Sequence, residues 1–280
     1  MDNFLKEDDT ILIPAGRVAL GIEYMGAAYS GWQRQIDVDS VQARIEKSLK
    51  NIVRHSLDVT CAGRTDAGVH ATAQVVHFDS PVARPLKAYT RGMNTTLPKD
   101  IAITWARAVP NEFHARFSAR SRRYRYVIYN NSLRSGVFNS GVTHVYQPLD
   151  VDIMHEAAQA LVGQHDFTSF RASHCQSKTA QRNIHYIKLY RQQRYVIVDV
   201  KANAFLHHMV RNIVGSLIDV GIGEKPVTYM SDLLKMKDRT KASTTAKPNG
   251  LYLVDVGYDS QFGLEKTDVG PLFLADLDSA

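Results

Sequence analysis

Residues 58–78 read DVTCAGRTDAGVHATAQVVHF, and the punctuation of this stretch decides the fold. DVTCAG is a short strand. From Val69 onward, Val69, Ala71, Ala73 and Val75 alternate with His70, Thr72, Gln74 and Val76, the period of two of a half-buried strand. Between the two strands, Gly63 and Gly68 bracket a loop that carries Arg64, Thr65 and Asp66.

Working outward, RVALGIEY at 17–24 reads as a strand, and the segment from Asp39 as a helix. The apolar positions of that helix are Val41, Ile45, Leu49, Ile52 and Val53, and Asp39 and Gln42 are spaced like a capping box. Pro85 opens a short helix, and IAITWARAV from Ile101 is another strand. The first half is therefore β-α-β-β-α-β, the split βαβ order of ferredoxin-like folds. The second half repeats it. Strand RRYRYVIY precedes a helix from Asp152 to a stop at Gly163, and strands IHYIKLY and RYVIVDVKA follow. A helix with the stripe Leu206, Met209, Val210, Ile213, Val214 and Leu217 comes next, opposed by His208, Arg211, Asn212, Ser216 and Asp219. A short helix at Val227–Met236 and strand GLYLVDVGY complete the order.

The fold class is thus α+β, two ferredoxin-like halves with mainly antiparallel sheets and the active-site cleft expected between them. No self-similarity of sequence accompanies the repeated order. The expected domains are an arm at 1–16, an N-terminal α+β domain at 17–112 carrying the Asp66 loop, a C-terminal α+β domain at 113–265 and a tail at 266–280.

Composition narrows the function. Of 280 residues, 44% are hydrophobic and 22% charged, which is globular and not disordered. Lys+Arg 34 against Asp+Glu 28 leaves +6, so an anionic partner is favoured, nucleic acid first. The two cysteines, Cys61 and Cys175, make neither a C-x-x-C pair nor a disulfide framework. A reducing cytoplasm fits. The opening MDNFLKEDDT is acidic, and no apolar run approaches the ~18 residues of a membrane span, so neither secretion nor a membrane is expected.

Three segments can carry chemistry. In the first, glycines permit close backbone approach to a ligand, and Arg64 and Thr65 set donors beside Asp66; Asp and Gly are equally the residues an ordinary hairpin turn selects. In the second, RSRRYRYVIYN at 120–130, Tyr124, Tyr126 and Ile128 share one face and Arg123, Arg125, Val127 and Tyr129 the other. Aromatics interleaved with arginines suit RNA, since a tyrosine stacks on a base for ~1 to 3 kcal/mol; tyrosine is also a good strand former. In the third, NAFLHHMVRNIVGS at 203–216, adjacent His207 and His208 would point about 100° apart on a helix, which argues against zinc. His70 and His77 face opposite ways on their strand. No metal is expected. Arg211 on that helix is either an exposed arginine or a guanidinium in need of a carboxylate, Asp66 being one candidate.

Taken together, GWQRQ at 31–35, GRTDAGVH at 63–70, RRYRYVIYN, DFTSFRA at 166–172, KANAFLHHMVRNIVGS and GPLFLAD at 270–276 resemble the tRNA pseudouridine synthase A family. The resemblance covers nearly the whole chain. One departure is Met25, where the family usually carries an acidic residue; another is the longer acidic arm before Arg17.

The resemblance implies isomerisation of uridine to pseudouridine at the 3′ side of the anticodon stem-loop, without metal or other cofactor. It places Asp66 on the family's nucleophile. Tyr124 falls on the tyrosine that stacks on the uracil, Arg211 on the arginine paired with the nucleophile, and Arg64 on the residue that fills the space of a flipped nucleotide. It assigns tRNA contacts to Arg84, to Phe113, His114, Ala115, Arg116 and Phe117, and to His174, Cys175, Gln176, Ser177 and Lys178. It also implies a cytoplasmic homodimer that takes the tRNA anticodon arm. Two other readings stand beside it. An RNA-binding module has the same topology but no use for Asp66. A base-releasing nucleosidase acts on the same bond but recruits a second carboxylate, and neither Asp166 nor Asp199 sits in a comparable motif.

Overall fold

The computed structural model describes residues 11–264, 269–271 and 273–274. These form two compact units, one from the described residues up to Arg120 together with those from Val254 onward, the other Ser121–Leu253. Among the described residues no helix is long and apolar enough to cross a membrane.

The first unit contains β1 (Leu12–Ile13), β2 (Gly16–Tyr24), α1 (Val41–Val53), β3 (Thr60–Cys61), β4 (His70–Ser80), β5 (Arg84–Pro85) and β6 (Ile101–Ala108). β2 pairs antiparallel with both β4 and β6, and β3 pairs antiparallel with β4. The resulting order β6-β2-β4-β3 sets the first strand between the last and the third, as a ferredoxin-like unit requires. The α1 helix buries Val41, Ile45, Leu49 and Val53 at a spacing of four; each such side chain taken from water contributes about 1.5–3 kcal/mol.

Three local expectations are corrected here. Ser40, not Asp39, caps α1, accepting from the Ala43 N–H at 3.4 Å, while Asp39 pairs with Arg44 and the Gln42 amide turns inward to Glu46. Pro85 lies in β5, paired with the end of the expected arm through Leu12, and a π-helical turn at Ala88–Gly92 follows. Strand β4 is not half-buried: of the side chains expected to face water, His70, Gln74 and Val76 are buried too.

The second unit contains β7 (Ser121–Asn130), β8 (Thr143–Val145), α2 (Val151–Gln159), β9 (Gly163–Asp166), β10 (Gln181–Gln192), β11 (Tyr195–Ala202), α3 (Met209–Gly221), α4 (Tyr229–Met236) and the start of β12 (Leu251–Gly257). β11 lies antiparallel between β7 and β10, and β12 neighbours β7. The order β12-β7-β11-β10 repeats that of the first unit. Edge strand β9, paired with β10, and β8, parallel to the end of β7, are additions.

Two helix bounds differ from expectation. α2 stops at Gln159, and Gly163, at φ +100, opens β9. α3 starts at Met209 because His208 adopts φ 61 just before it, so Leu206, His207 and His208 stand outside the helix. Asn212 and Ser216, expected on a polar outer face, are fully buried. Asn212 donates to Phe170 O at 2.8 Å and accepts from Arg239 and Thr245, tying α3 to two loops.

The units also divide at other residues than the expected domains. Arg17 binds Asp79 with two bonds and donates to the carbonyl of Phe113 at 2.9 Å, and the Phe113 ring packs on Tyr258 and Phe262. These contacts keep 113–120 and the stretch after Val254 with the first unit.

Candidate active site

The loop between β3 and β4 is held from below by backbone and side chains alike. The Trp32 N–H donates to Thr65 O at 3.0 Å, the Gly68 N–H reaches Tyr29 O at 3.4 Å, and the Val69 N–H closes the loop on Asp66 O at 3.1 Å. Such close approach requires glycine at two places. A Cβ on Gly31, which has φ +93, would stand 2.9 Å from Thr65 O, and one on Gly26 would stand 1.9 Å from Val69 O. The Gly26 N–H donates to Nδ1 of the buried His70 at 2.9 Å. GWQRQ is therefore a brace for the Asp66 loop, with its Gln42 and Glu46 neighbours binding Arg34.

Within the loop, Arg64 is exposed, Thr65 buried and Asp66 half-buried. The chain thus alternates an outward cation, an inward hydroxyl and a half-buried carboxylate. Below them, buried Cys61 has its thiol pushed up to about 12 by burial, which leaves it a neutral packing group and not a nucleophile.

In the second unit, Tyr124 pairs in register with Val200 of β11, is 8% exposed, and meets the Phe205 ring edge-on at 5.0 Å. Arg211, on α3, is partly buried and donates from Nε to Ala246 O at 2.8 Å, while Ala246 N–H returns a bond to Arg211 O at 3.1 Å. Its charge lies near Tyr126, whose phenol is raised well above its ordinary range, mainly by burial. The rings of His207 and His208 stack with centroids 3.9 Å apart. A divergence by helical geometry does not apply to them, because they precede the helix.

The arginines of β7 are engaged inside the unit. Arg123 binds Asp199 through Nε at 2.8 Å and Nη2 at 2.6 Å, and Arg125 donates from Nε to the same carboxylate at 2.9 Å. Tyr186 adds a hydroxyl at 3.3 Å. Arg125 is 2% exposed, so the interleaved pattern that suits RNA here serves a buried ion cluster, and Asp199 is its hub.

The segments assigned to tRNA divide between core and surface. Phe113 and Ala115 are buried; Arg116 is exposed and Phe117 is 75% exposed. His114 lies between, its ring 4.7 Å from His77 and 4.3 Å from Phe117, its Nδ1 accepting from the backbone of Arg116 and Phe117. His174, Gln176 and Lys178 are exposed, with Cys175 and Ser177 partly covered. Arg171 holds this turn by donating to the carbonyls of Cys175 and Ser177 at 2.9 and 2.7 Å. Arg84 is half-buried and donates to Ile52 O at 2.8 Å and Ala83 O at 3.0 Å.

The residues that sequence reading missed are those beneath the loop: Tyr24, Trp32 and Gln74. Their one visible signal is Gln74, a polar residue in a run where Val75, Val76 and Phe78 are otherwise apolar.

The family model described as tRNA pseudouridine synthase matches residues 21–118 and 157–259. Proteins named tRNA pseudouridine synthase A from Shewanella frigidimarina (strain NCIMB 400) and Shewanella woodyi (strain ATCC 51908 / MS32) are 58% and 59% identical over 260 residues, 93% of this chain and 100% of each relative. One from Pseudoalteromonas atlantica (strain T6c / ATCC BAA-1087) is 59% identical over the same share of this chain and 99% of its own. The residues matched by the family model include the braced Asp66 loop and α3 with Arg211, and by these matches the chain belongs to the tRNA pseudouridine synthase family.

Proposed function

We propose that the protein isomerises uridine to pseudouridine in tRNA, at the 3′ side of the anticodon stem-loop, with Asp66 as the nucleophile on a flipped-out base. The observation that carries this reading is a half-buried carboxylate on a loop braced at Thr65, Gly68 and Val69, in a chain of this family. The reaction breaks the N1–C1′ bond and joins C5 to the same sugar carbon. The proton lost from C5 is balanced by one gained at N1, so no oxidant, reductant or group donor is consumed. A carboxylate starts this by attacking C1′ or uracil C6, or by removing the C2′ hydrogen on a glycal route.

Tyr124, Arg64 and Arg211 take the uridine and its surroundings: the Tyr124 ring stacks on the uracil, and Arg64 occupies the space the flipped nucleotide vacates. Arg84, the exposed members of 113–117 and those of 174–178 contact the tRNA backbone. The protein acts as a cytoplasmic homodimer, in which the +6 of each chain doubles on one assembly and guides tRNA without reading bases.

The test is incubation of the pure protein with unmodified tRNA, followed by digestion to nucleosides. The expected product is pseudouridine, of unchanged mass and without added cofactor. Free uracil would establish a nucleosidase, and tRNA binding without product would establish an RNA-binding module.

A further inference from the structure

Thr65 stands between Arg64 and Asp66, yet its side chain is buried and its Oγ1 lies 2.8 Å from the Tyr24 hydroxyl. Tyr24 is the last residue of β2, just past a shift in the β2–β4 register after Ile22, and its ring packs against Trp32 at 5.9 Å. Behind it is Gln74, fully buried in the middle of β4. The Gln74 amide grips one residue of the loop from both sides: Nε2 donates to Gly63 O at 2.6 Å, and the Gly63 N–H donates to Oε1 at 3.4 Å. Nε2 also stands 3.5 Å from the Tyr24 oxygen. The Gln74 nitrogen donates to the Tyr24 oxygen, and the Tyr24 and Thr65 hydroxyls share a bond in which either oxygen can donate.

Packing does not require this chain. Leu, Phe and Val fill similar volumes without withdrawing an amide and two hydroxyls from water, and buried polar groups are favourable only when all are satisfied together. What the polar chain adds is direction. It fixes Gly63 by its amide and Thr65 by its side chain, the two residues on either side of Arg64, and Thr65 is bonded to Asp66.

We infer that Tyr24 and Gln74 are positioning residues for Asp66, acting through Thr65 and Gly63 to set where the carboxylate stands. The inference rests on the reading of Asp66 as nucleophile. Attack by a carboxylate depends on near-attack geometry, and a displacement of about 1 Å costs on the order of 10²-fold in rate.

The experiment compares Tyr24→Phe, Thr65→Val and Thr65→Ser for kcat and KM on tRNA, each with a melting curve. Tyr24→Phe and Thr65→Val remove the two ends of one hydrogen bond at nearly constant volume. The expected result is a kcat lowered by about 10- to 100-fold with KM for tRNA unchanged, and Thr65→Ser close to wild type because it keeps the hydroxyl. The double variant Tyr24→Phe with Thr65→Val is expected to be no slower than the slower single, since both cut the same bond. Folded Tyr24→Phe and Thr65→Val with wild-type kcat would overturn the inference, whether or not their melting temperatures fall, as would Thr65→Ser as slow as Thr65→Val or an effect confined to KM. Should Tyr24→Phe fail to fold, the Thr65 pair decides alone. Full turnover by Asp66→Asn is a different failure: it removes the nucleophile reading and this inference with it, whereas an inactive Asp66→Asn beside fully active Tyr24→Phe and Thr65→Val removes only the positioning role.

Discussion

Two aspartates of this chain show how surroundings divide structure from chemistry. Asp199, in the second unit, is buried at the centre of Arg123, Arg125 and Tyr186, so its charge is answered by guanidinium groups fixed on the neighbouring strand. Asp66, in the first unit, is half-buried on a loop held at Thr65, Gly68 and Val69 by backbone bonds. In the one case the fold spends its bonds on the carboxylate. In the other, bonds at Thr65, Gly68 and Val69 hold the loop that carries the carboxylate. A carboxylate locked into a buried ion cluster is costly to disturb and has little freedom to react, and that is why Asp199, though an acid in the same chain, makes a poor second catalytic carboxylate.

The sharpest way to break this comparison is to remove each charge. Asp66→Asn is expected to lower pseudouridine formation by at least about 10³-fold, since on the proposed reading it removes the nucleophile, with a melting curve close to wild type. Substantial turnover by the folded variant, measured by nucleoside analysis of digested tRNA, would cancel the contrast. Asp199→Asn is expected to do the reverse. It strands the buried Arg125 guanidinium and the partly buried one of Arg123 and costs about 3–5 kcal/mol of stability, read by urea denaturation, while the fraction that remains folded keeps its turnover. An Asp199→Asn protein as stable as wild type but inactive would exchange the two roles.

Tyr124→Phe sharpens the comparison at the substrate. If the ring stacks and the hydroxyl assists proton removal at C5, the variant keeps its tRNA affinity and loses turnover; equal turnover leaves stacking as the only role of Tyr124.

A smaller effect concerns His77, whose Nδ1 accepts the Ala115 N–H at 3.1 Å and is therefore neutral in the fold. Burial, helped by His114 and Arg17, lowers it from 6.5 to about 4. A folded-state pKa below the unfolded one means that the unfolded chain binds more protons in this window, so stability is full above about 6.5 and falls as pH drops toward about 4. Urea midpoints followed across that range are expected to decline, and to decline less in His77→Gln, whose amide oxygen still accepts. A profile unaltered by the substitution would assign the decline to other groups.

The smallest expected change is at the surface. Arg116→Ala and Lys178→Ala should each make log affinity for tRNA less steep in log salt by about 0.7 to 0.9, without changing the melting temperature. Arg84→Ala should lower stability as well, because Arg84 also holds the carbonyls of Ile52 and Ala83. Salt slopes identical to wild type would take these residues off the path of the RNA.

The sequence by itself determined the order of the main strands and helices in both halves, though not the short strands β1, β5, β8 and β9, because alternation and the 3.6 period are local properties of the chain. It also singled out the GRTDAGVH loop as the candidate site, since that motif is contiguous. What only the tertiary structure decided are the relations between residues far apart in sequence. That Gln74 answers Gly63 across 11 positions, that Tyr24 reaches Thr65 across 41, and that Arg123 and Arg125 turn to Asp199 across more than 70 follow from strand register and burial. No local period encodes them: alternation gave His70, Gln74 and Val76 a solvent face, and cover over both faces of β4 made them buried. The arginines of β7 read as RNA ligands for the same reason. A charged side chain on a strand points to water or to a counter-charge according to what lies on the neighbouring strand, and that neighbour is chosen only when the sheet closes.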